Sequence, residues 1–140
     1  MDHHVTELIF STRGRGFQEI TDAVGQWVEQ TGIEQGLCTV FLRHTSASLV
    51  IQENADPDVR KDFETFFRKL LPEPHPGFIH TAEGDDDMPA HIRSALMGVH
   101  LSIPILGGRL ALGTWQGIYL WEHRTAPHQR RIALHVSGKG

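Results

Sequence analysis

Apolar and polar positions alternate with a period of two over several stretches of this chain and with a helical period over others. Residues 5–10 read as a first strand. Val24, Trp27, Val28 and Thr31 then recur at helical spacing, which predicts a helix capped by Thr21 and stopped at Gly32. Residues 37–43 and 47–52 are β-rich runs separated by His44, Thr45 and Ser46. The clearest helix follows. Asp56 is a good cap, Pro57 suits the first helical position, and Asp58 complements the positive end of the dipole. Val59, Phe63, Phe66, Phe67, Leu70 and Leu71 mark its apolar face, and Pro72 ends it. That aromatic stripe is read as core.

A Pro-rich turn at 72–77 leads to an extended piece, 78–81, and an acidic loop from Glu83 to Asp87. A short helix is expected at about 88–97, with Gly98 as its stop. The last third reads as β. Leu101, Ile103 and Ile105 alternate, Gly107-Gly108 signals a hairpin, and Leu110 and Leu112 resume the alternation. A bend at Gly113–Gly117 precedes a strand at Ile118–Trp121, and residues 131–136 form the last one. The expected class is α+β, with a mixed or antiparallel sheet core and three helices in a single domain spanning 1–140.

Composition narrows the functional classes. Seventeen Asp and Glu against thirteen Lys and Arg argue against a broad nucleic-acid surface. One cysteine, Cys38, excludes an intrachain disulfide, and its place in a β-rich run suits a small buried hydrophobe better than a nucleophile. No apolar run approaches bilayer length and the start lacks a signal-peptide pattern, so a cytoplasmic protein without membrane contact is expected.

Ten histidines are many for 140 residues. His3, His4, His75, His128 and His135 read as surface residues. Three others sit where chemistry is available: His44 at a strand end, His80 at the entry to the acidic loop, and His91 in the first turn of the short helix. A helix N-terminus disfavours imidazolium, so His91 is kept available as ligand or base. Imidazoles and carboxylates together suit zinc, manganese or another divalent ion. The acidic residues Asp85, Asp86 and Asp87, with Glu53, Asp56, Glu83 and Glu122, also suit Mg²⁺ bridging to a phosphate, or simply a solvated loop. Ser46 and Ser48 lie near His44, but no nucleophile elbow surrounds them. Gly14-Arg15-Gly16 reads as a turn. Arg43 and Arg124 end strands and have the fork geometry that grips phosphate.

Taken in order, GLCTVFLRHTSASLVIQENADPDVRKDF, IHTAEGDDDMPAHIRSALMG and LSIPILGGRLALGTWQGIYLWEHR resemble the secondary thiamine-phosphate synthase family over about residues 5–137. The most specific blocks are His44–Ser48, Glu53–Pro57, Asp86–His91 and Gly113–Arg124. The resemblance implies an α+β homotrimer with metal ligands at His44, His80 and His91. It implies a polar pocket from Ser46, Ser48, Asn54, Asp56, Glu83, Asp86, Asp87, Gln116, Glu122 and Arg124. The implied activity joins a pyrimidine diphosphate to a thiazole phosphate, with pyrophosphate as the second product. For that chemistry the expected roles are catalytic for His91, Asp87, Glu83 and Arg124. Substrate contacts are expected from Ser46, Ser48, Asn54, Asp56, Asp86, Gln116, Glu122 and Arg43, with a divalent metal (zinc, magnesium or manganese) and a small phosphorylated metabolite as partners. The alternatives are a metal-dependent hydrolase of a small phosphate ester and a non-catalytic metal- or ligand-binding trimer.

Overall fold

A computed structural model describes residues 1–140. The alternating stretches pair wherever the chain doubles back, and every pairing is antiparallel. Strands β1 (Asp2–Ser11), β8 (Gln129–Lys139), β3 (Gln35–Leu42), β5 (His100–Leu106) and β6 (Arg109–Leu110) form a five-stranded sheet in that order. Strands β2 (Gly16–Glu19), β7 (Gln116–Glu122) and β4 (Ala47–Glu53) form a three-stranded one. The helices are α1 (Thr21–Gln30), α2 (Pro57–Leu70) and α3 (Asp87–Met97). The α+β class with three helices therefore stands, and the sheets are antiparallel.

The main core lies between the sheets. Cys38, Val40 and Leu42 of β3, Ile103 and Ile105 of β5, and Ile132, Leu134 and Val136 of β8 pack with Leu49, Ile118 and Leu120 from the smaller sheet. Val24 and Val28, four residues apart on α1, close the same cluster. On the opposite face of the smaller sheet, α2 sets Phe67 and Leu71 against the fully buried Trp121. Phe17 stacks on that indole at 4.3 Å between ring centroids, and the indole N–H donates to Glu64 Oε1 at 2.5 Å. Asp56 caps α2 as expected, accepting the Asp58 N–H at 2.9 Å.

Three local expectations change. Thr21 is the first helical residue of α1 rather than its cap: its hydroxyl donates to Glu19 Oε2 and accepts the Ile118 N–H, tying the helix start to β7. Gly16–Glu19, too short and Gly-flanked to stand out, becomes a strand because β7 offers it a free edge. Residues 78–81, expected as an extended piece, join no ladder, and the His75 ring stacks on Phe78. The first and last strands of the chain run longer than their apolar cores, since β1 and β8 pair continuously from Asp2↔Gly138 to Ser11↔Gln129.

The β4–β7 register positions the site. Ala47 faces Glu122 at one end and Glu53 faces Gln116 at the other. At six residues' rise of about 3.4 Å each, those ends lie about 20 Å apart. Around the first end gather the 43–46 turn, the 12–15 loop, the 123–128 connection and the acidic loop leading into α3.

Candidate metal centre

Asp87 opens α3 and His91 follows one turn later, so the two side chains share a helix face. His80 reaches them from the preceding loop. The ligand atoms of His80, Asp87 and His91 all lie within 4.8 Å of one another. Asp87 Oδ2 is 2.7 Å from His80 Nε2 and 3.2 Å from His91 Nε2. Its other oxygen forms an ion pair with Arg124 Nη1 at 2.8 Å. Burial pushes the Asp87 carboxyl upward, but the His80 hydrogen bond and the charges of His91 and Arg124 hold it below its ordinary range.

The second ring nitrogen of His91 decides what this cluster can do. Nδ1 lies 2.9 Å from the Thr45 carbonyl oxygen, which has no proton to give, so Nδ1–H is the donor. In the neutral ring, Nε2 then carries a lone pair aimed at a carboxylate oxygen. Two lone pairs at 3.2 Å need a cation between them: a second proton on the ring, or a metal ion. Tetrahedral ligands with bonds of about 2.0 Å stand about 3.3 Å apart. The His91–Asp87 separation already has that size, and the His80–Asp87 pair would open by a few tenths of an ångström.

Arg124 holds the acidic loop in place. Its Nε donates to Asp86 Oδ2 at 2.9 Å and its Nη2 to the Glu83 carbonyl at 3.0 Å. Asp86 also accepts the Thr125 N–H at 2.9 Å, so it binds the 124–125 backbone instead of capping α3. The Glu83 side chain is exposed.

The same end of the β4–β7 pair holds a group of buried polar residues, linked to the triad through Arg124. Glu122, 1% exposed, is paired with Arg130 and accepts from Thr12 Oγ1 at 2.7 Å. Arg130 also donates to Ser46 Oγ at 3.0 Å, and Ser48 Oγ meets His123 Nε2 at 2.7 Å. Burial, reinforced by Arg93, Arg15 and Arg130, drives the His123 pKa down to about 2, so its ring is neutral. Arg93 pairs with Glu64 at 3.1 Å and lies over the Phe67 and Trp121 rings, 5.8 and 6.0 Å from their centroids.

The residues expected at one pocket are thus distributed over several places. His80, His91, Asp87, Asp86 and Arg124 come together. Ser46, Ser48 and Glu122 lie at the same end, buried and already hydrogen-bonded within the chain. His44 stands apart from the triad. Its Nε2 accepts the Arg131 N–H at 2.8 Å because the start of β8 runs beside it, although it lines a cavity of about 630 Å³ together with His91. Burial and the charge of Arg130 lower its pKa, leaving the ring neutral. Arg43 is drawn to Glu7, at 2.5 Å. Asn54, Asp56 and Gln116 sit at the far end of β4 and β7, where Asp56 caps α2 and Gln116 Oε1 accepts the Gly113 N–H. Antiparallel pairing sends them there.

Arg130, His123 and Arg93 escape a reading of motifs, yet each carries a positional signal. Arg130 continues the buried parity of Ile132, Leu134 and Val136, and His123 that of Tyr119 and Trp121. Arg93 falls three residues after the buried Ala90.

With this geometry in place, known proteins can be set beside it. Residues 6–139 match the family described as UPF0047 protein YjbQ-like. The chain belongs to that family. It is 54% identical to a UPF0047 protein of Synechocystis over 97% of its own length and 92% of the relative's. YjbQ of Escherichia coli O157:H7 is 43% identical over 94% of this chain and 96% of its own. Among solved structures, a YjbQ/UPF0047 protein of Clostridium acetobutylicum superposes with a TM-score of 0.85 at 37% identity, covering 94% of this chain and 99% of that one. A YbjQ-like protein of unknown function from Sulfolobus solfataricus gives 0.85 at 27% identity, covering 99% and 100%. UPF0047 membership supplies the fold, and an activity has to be argued from the site.

Proposed function

We propose that this UPF0047 protein is a divalent-metal-dependent transferase of the thiamine-phosphate synthase type, joining a pyrimidine diphosphate to a thiazole phosphate. The observation that carries the metal part is the His91 ring, fixed through Nδ1 on Thr45 so that Nε2 faces Asp87. Two imidazoles and a carboxylate favour zinc or manganese over magnesium, which prefers oxygen ligands. A bound divalent ion would supply positive charge to an oxyanion leaving group. The transferase part rests on the family resemblance, together with the lack of an available nucleophile. Cys38 is buried, its thiol pushed up to about 11 by burial. Ser46 and Ser48 are buried and hydrogen-bonded.

In this reaction the C–O bond of the pyrimidine diphosphate breaks and its electron pair leaves with pyrophosphate. The thiazole nitrogen gives its lone pair to the same carbon, so no protein nucleophile is required. Asp87 and the two histidines would hold the metal ion, and Arg124 keeps the acidic loop and Asp87 in position.

The assembly is proposed to be a homotrimer. The outer face of the larger sheet exposes Val5 and Ile9 on β1 and Leu37 and Phe41 on β3, apolar side chains set among Glu7, Arg131 and His135 that a neighbouring copy would cover. Light scattering on the eluting protein should give three chains; a monomer at micromolar concentration refutes the trimer. For the activity, metal-loaded protein should form thiamine phosphate, detected by chromatography, and chelator should abolish it. His91→Ala should lose metal and activity together, whereas Cys38→Ser should keep both. No product from metal-loaded protein, or full activity in His91→Ala, sinks the transferase reading. Release of phosphate to water would identify a hydrolase instead.

A further inference from the structure

The arginines around the metal centre differ in what they already hold. Arg124 is committed to Asp86, Asp87 and the Glu83 carbonyl. Arg43 and Arg131 both pair with Glu7, and Arg130 is buried against Glu122. Arg15 donates to Glu73 Oε2 at 2.6 Å and to the His123 carbonyl at 3.0 Å through Nη2. Arg13 is exposed and makes no ion pair in the chain. It lines a cleft of about 480 Å³ walled by Ser11, Thr12, Gly14, Arg15, Gly16 and their neighbours.

The loop that forms this cleft, between β1 and β2, has three further properties. Its amides at Arg13, Gly14 and Arg15 take no carbonyl partner within the chain, whereas Thr12 N–H is bonded to the His128 carbonyl. Gly14 and Gly16 hold φ of 132° and 146°, conformations that side-chain-bearing residues avoid. A Cβ at Gly14 would also lie 2.7 Å from the Thr125 carbonyl oxygen, so the loop is seated on Thr125. Thr125 in turn binds Asp86 through its N–H. A single thickness of backbone, His123–Thr125, therefore separates the cleft from the metal-centre loop. The one carboxylate in the cleft wall, Glu122, is neutralised by Arg130.

We propose that the Thr12–Gly16 loop binds the phosphate or diphosphate group of the substrate, with Arg13 as the principal cation and the free amides as additional donors. Guanidinium forks and unpaired backbone N–H groups are the two donor types that tetrahedral oxyanions take most readily. This deepens the proposed transferase, which handles a diphosphate and a phosphate, but the site's anion affinity does not depend on the metal.

The test uses the intact protein after chelator treatment, with its fold checked by circular dichroism, titrated with inorganic phosphate and with pyrophosphate at low salt. Calorimetry should show binding, tighter for pyrophosphate. The amide signals of Arg13, Gly14 and Arg15 should shift in heteronuclear NMR spectra. Arg13→Ala should weaken pyrophosphate binding at least tenfold, Arg13→Lys less, and Arg109→Ala, on a distant surface, not at all. Asp87→Asn should lose metal yet keep metal-free pyrophosphate binding, which separates this site from the metal centre. No binding by the metal-free wild type, shifts confined to other residues, or an unchanged affinity in Arg13→Ala overturns the proposal whether or not the transferase reading survives.

Discussion

The two ends of the β4–β7 pair are built from similar residues and put them to opposite uses. At the Glu53/Gln116 end, polar groups do local work in water. Glu53 Oε2 accepts the Ala55 and Asp56 N–H groups, Asp56 caps α2, and Gln116 closes its own turn onto Gly113. At the Ala47/Glu122 end, the polar groups come from segments far apart in sequence and are largely withdrawn from water: Thr12, Ser46, Ser48, Glu122, His123 and Arg130 are all buried. Turn chemistry needs no neighbours, because its donors and acceptors are a few residues apart. A buried charge does need them, since an ion out of water is tolerated only with a partner and satisfied hydrogen bonds. This network forms a floor tied to the metal triad through Arg124, whose N–H donates to Glu122 and whose guanidinium pairs with Asp87.

The largest expected effect breaks that floor. Arg130→Ala leaves Glu122 buried without its cation and should cost about 3–5 kcal/mol in urea denaturation. A loss under about 1 kcal/mol would mean that this end is open to water and its ion pair solvated. The pH dependence comes next. His123 has a folded pKa of about 2 against an unfolded value of 6.5, so the unfolded state binds the extra proton between those values. Stability is complete above pH 6.5 and falls with acidification by about 1.4 kcal/mol per unit, or about 2 kcal/mol by pH 5. His44, also lowered, adds in the same direction. The carboxyls of Glu122, Asp86 and Asp87, held low in the fold, contribute stability above their unfolded values that is lost only in stronger acid. His123→Gln should flatten the slope between pH 6.5 and 5, and an unaltered slope would assign it to other groups.

At the opposite end the effects shrink. Asp56→Ala removes one exposed cap and should cost about 1 kcal/mol, with metal content unchanged. The smallest expected effect is the sharpest test of the comparison. Asn54→Ala and Gln116→Ala should leave zinc affinity, followed by competition with a chromogenic chelator, within about twofold of wild type, since a site about 20 Å away is beyond direct contact. A larger change would bring the far end of a neighbouring copy to the metal centre.

Periodicity alone determined the α+β class, the three helices and most strands, and local capping chemistry determined the start of α2 at Asp56. The expected helix at about 88–97 puts His91 in its first turn but leaves out Asp87, which opens the observed helix one residue earlier and shares the His91 face. These features depend on residues within one or two turns of each other, so the local sequence contains the needed information. It could not show that His80 joins them while His44 gives its nitrogen to the Arg131 N–H, because that choice depends on where β8 passes. Nor could it separate Asn54, Asp56 and Gln116 from Ser46, Ser48 and Glu122, since the antiparallel register of β4 and β7 sets the distance. Thr12 and Glu122 meet across 110 positions of sequence, and Ser46 and Arg130 across 84. Only chain packing brings such partners together, and the low dielectric it creates is what turns ordinary surface residue types into a buried charge network.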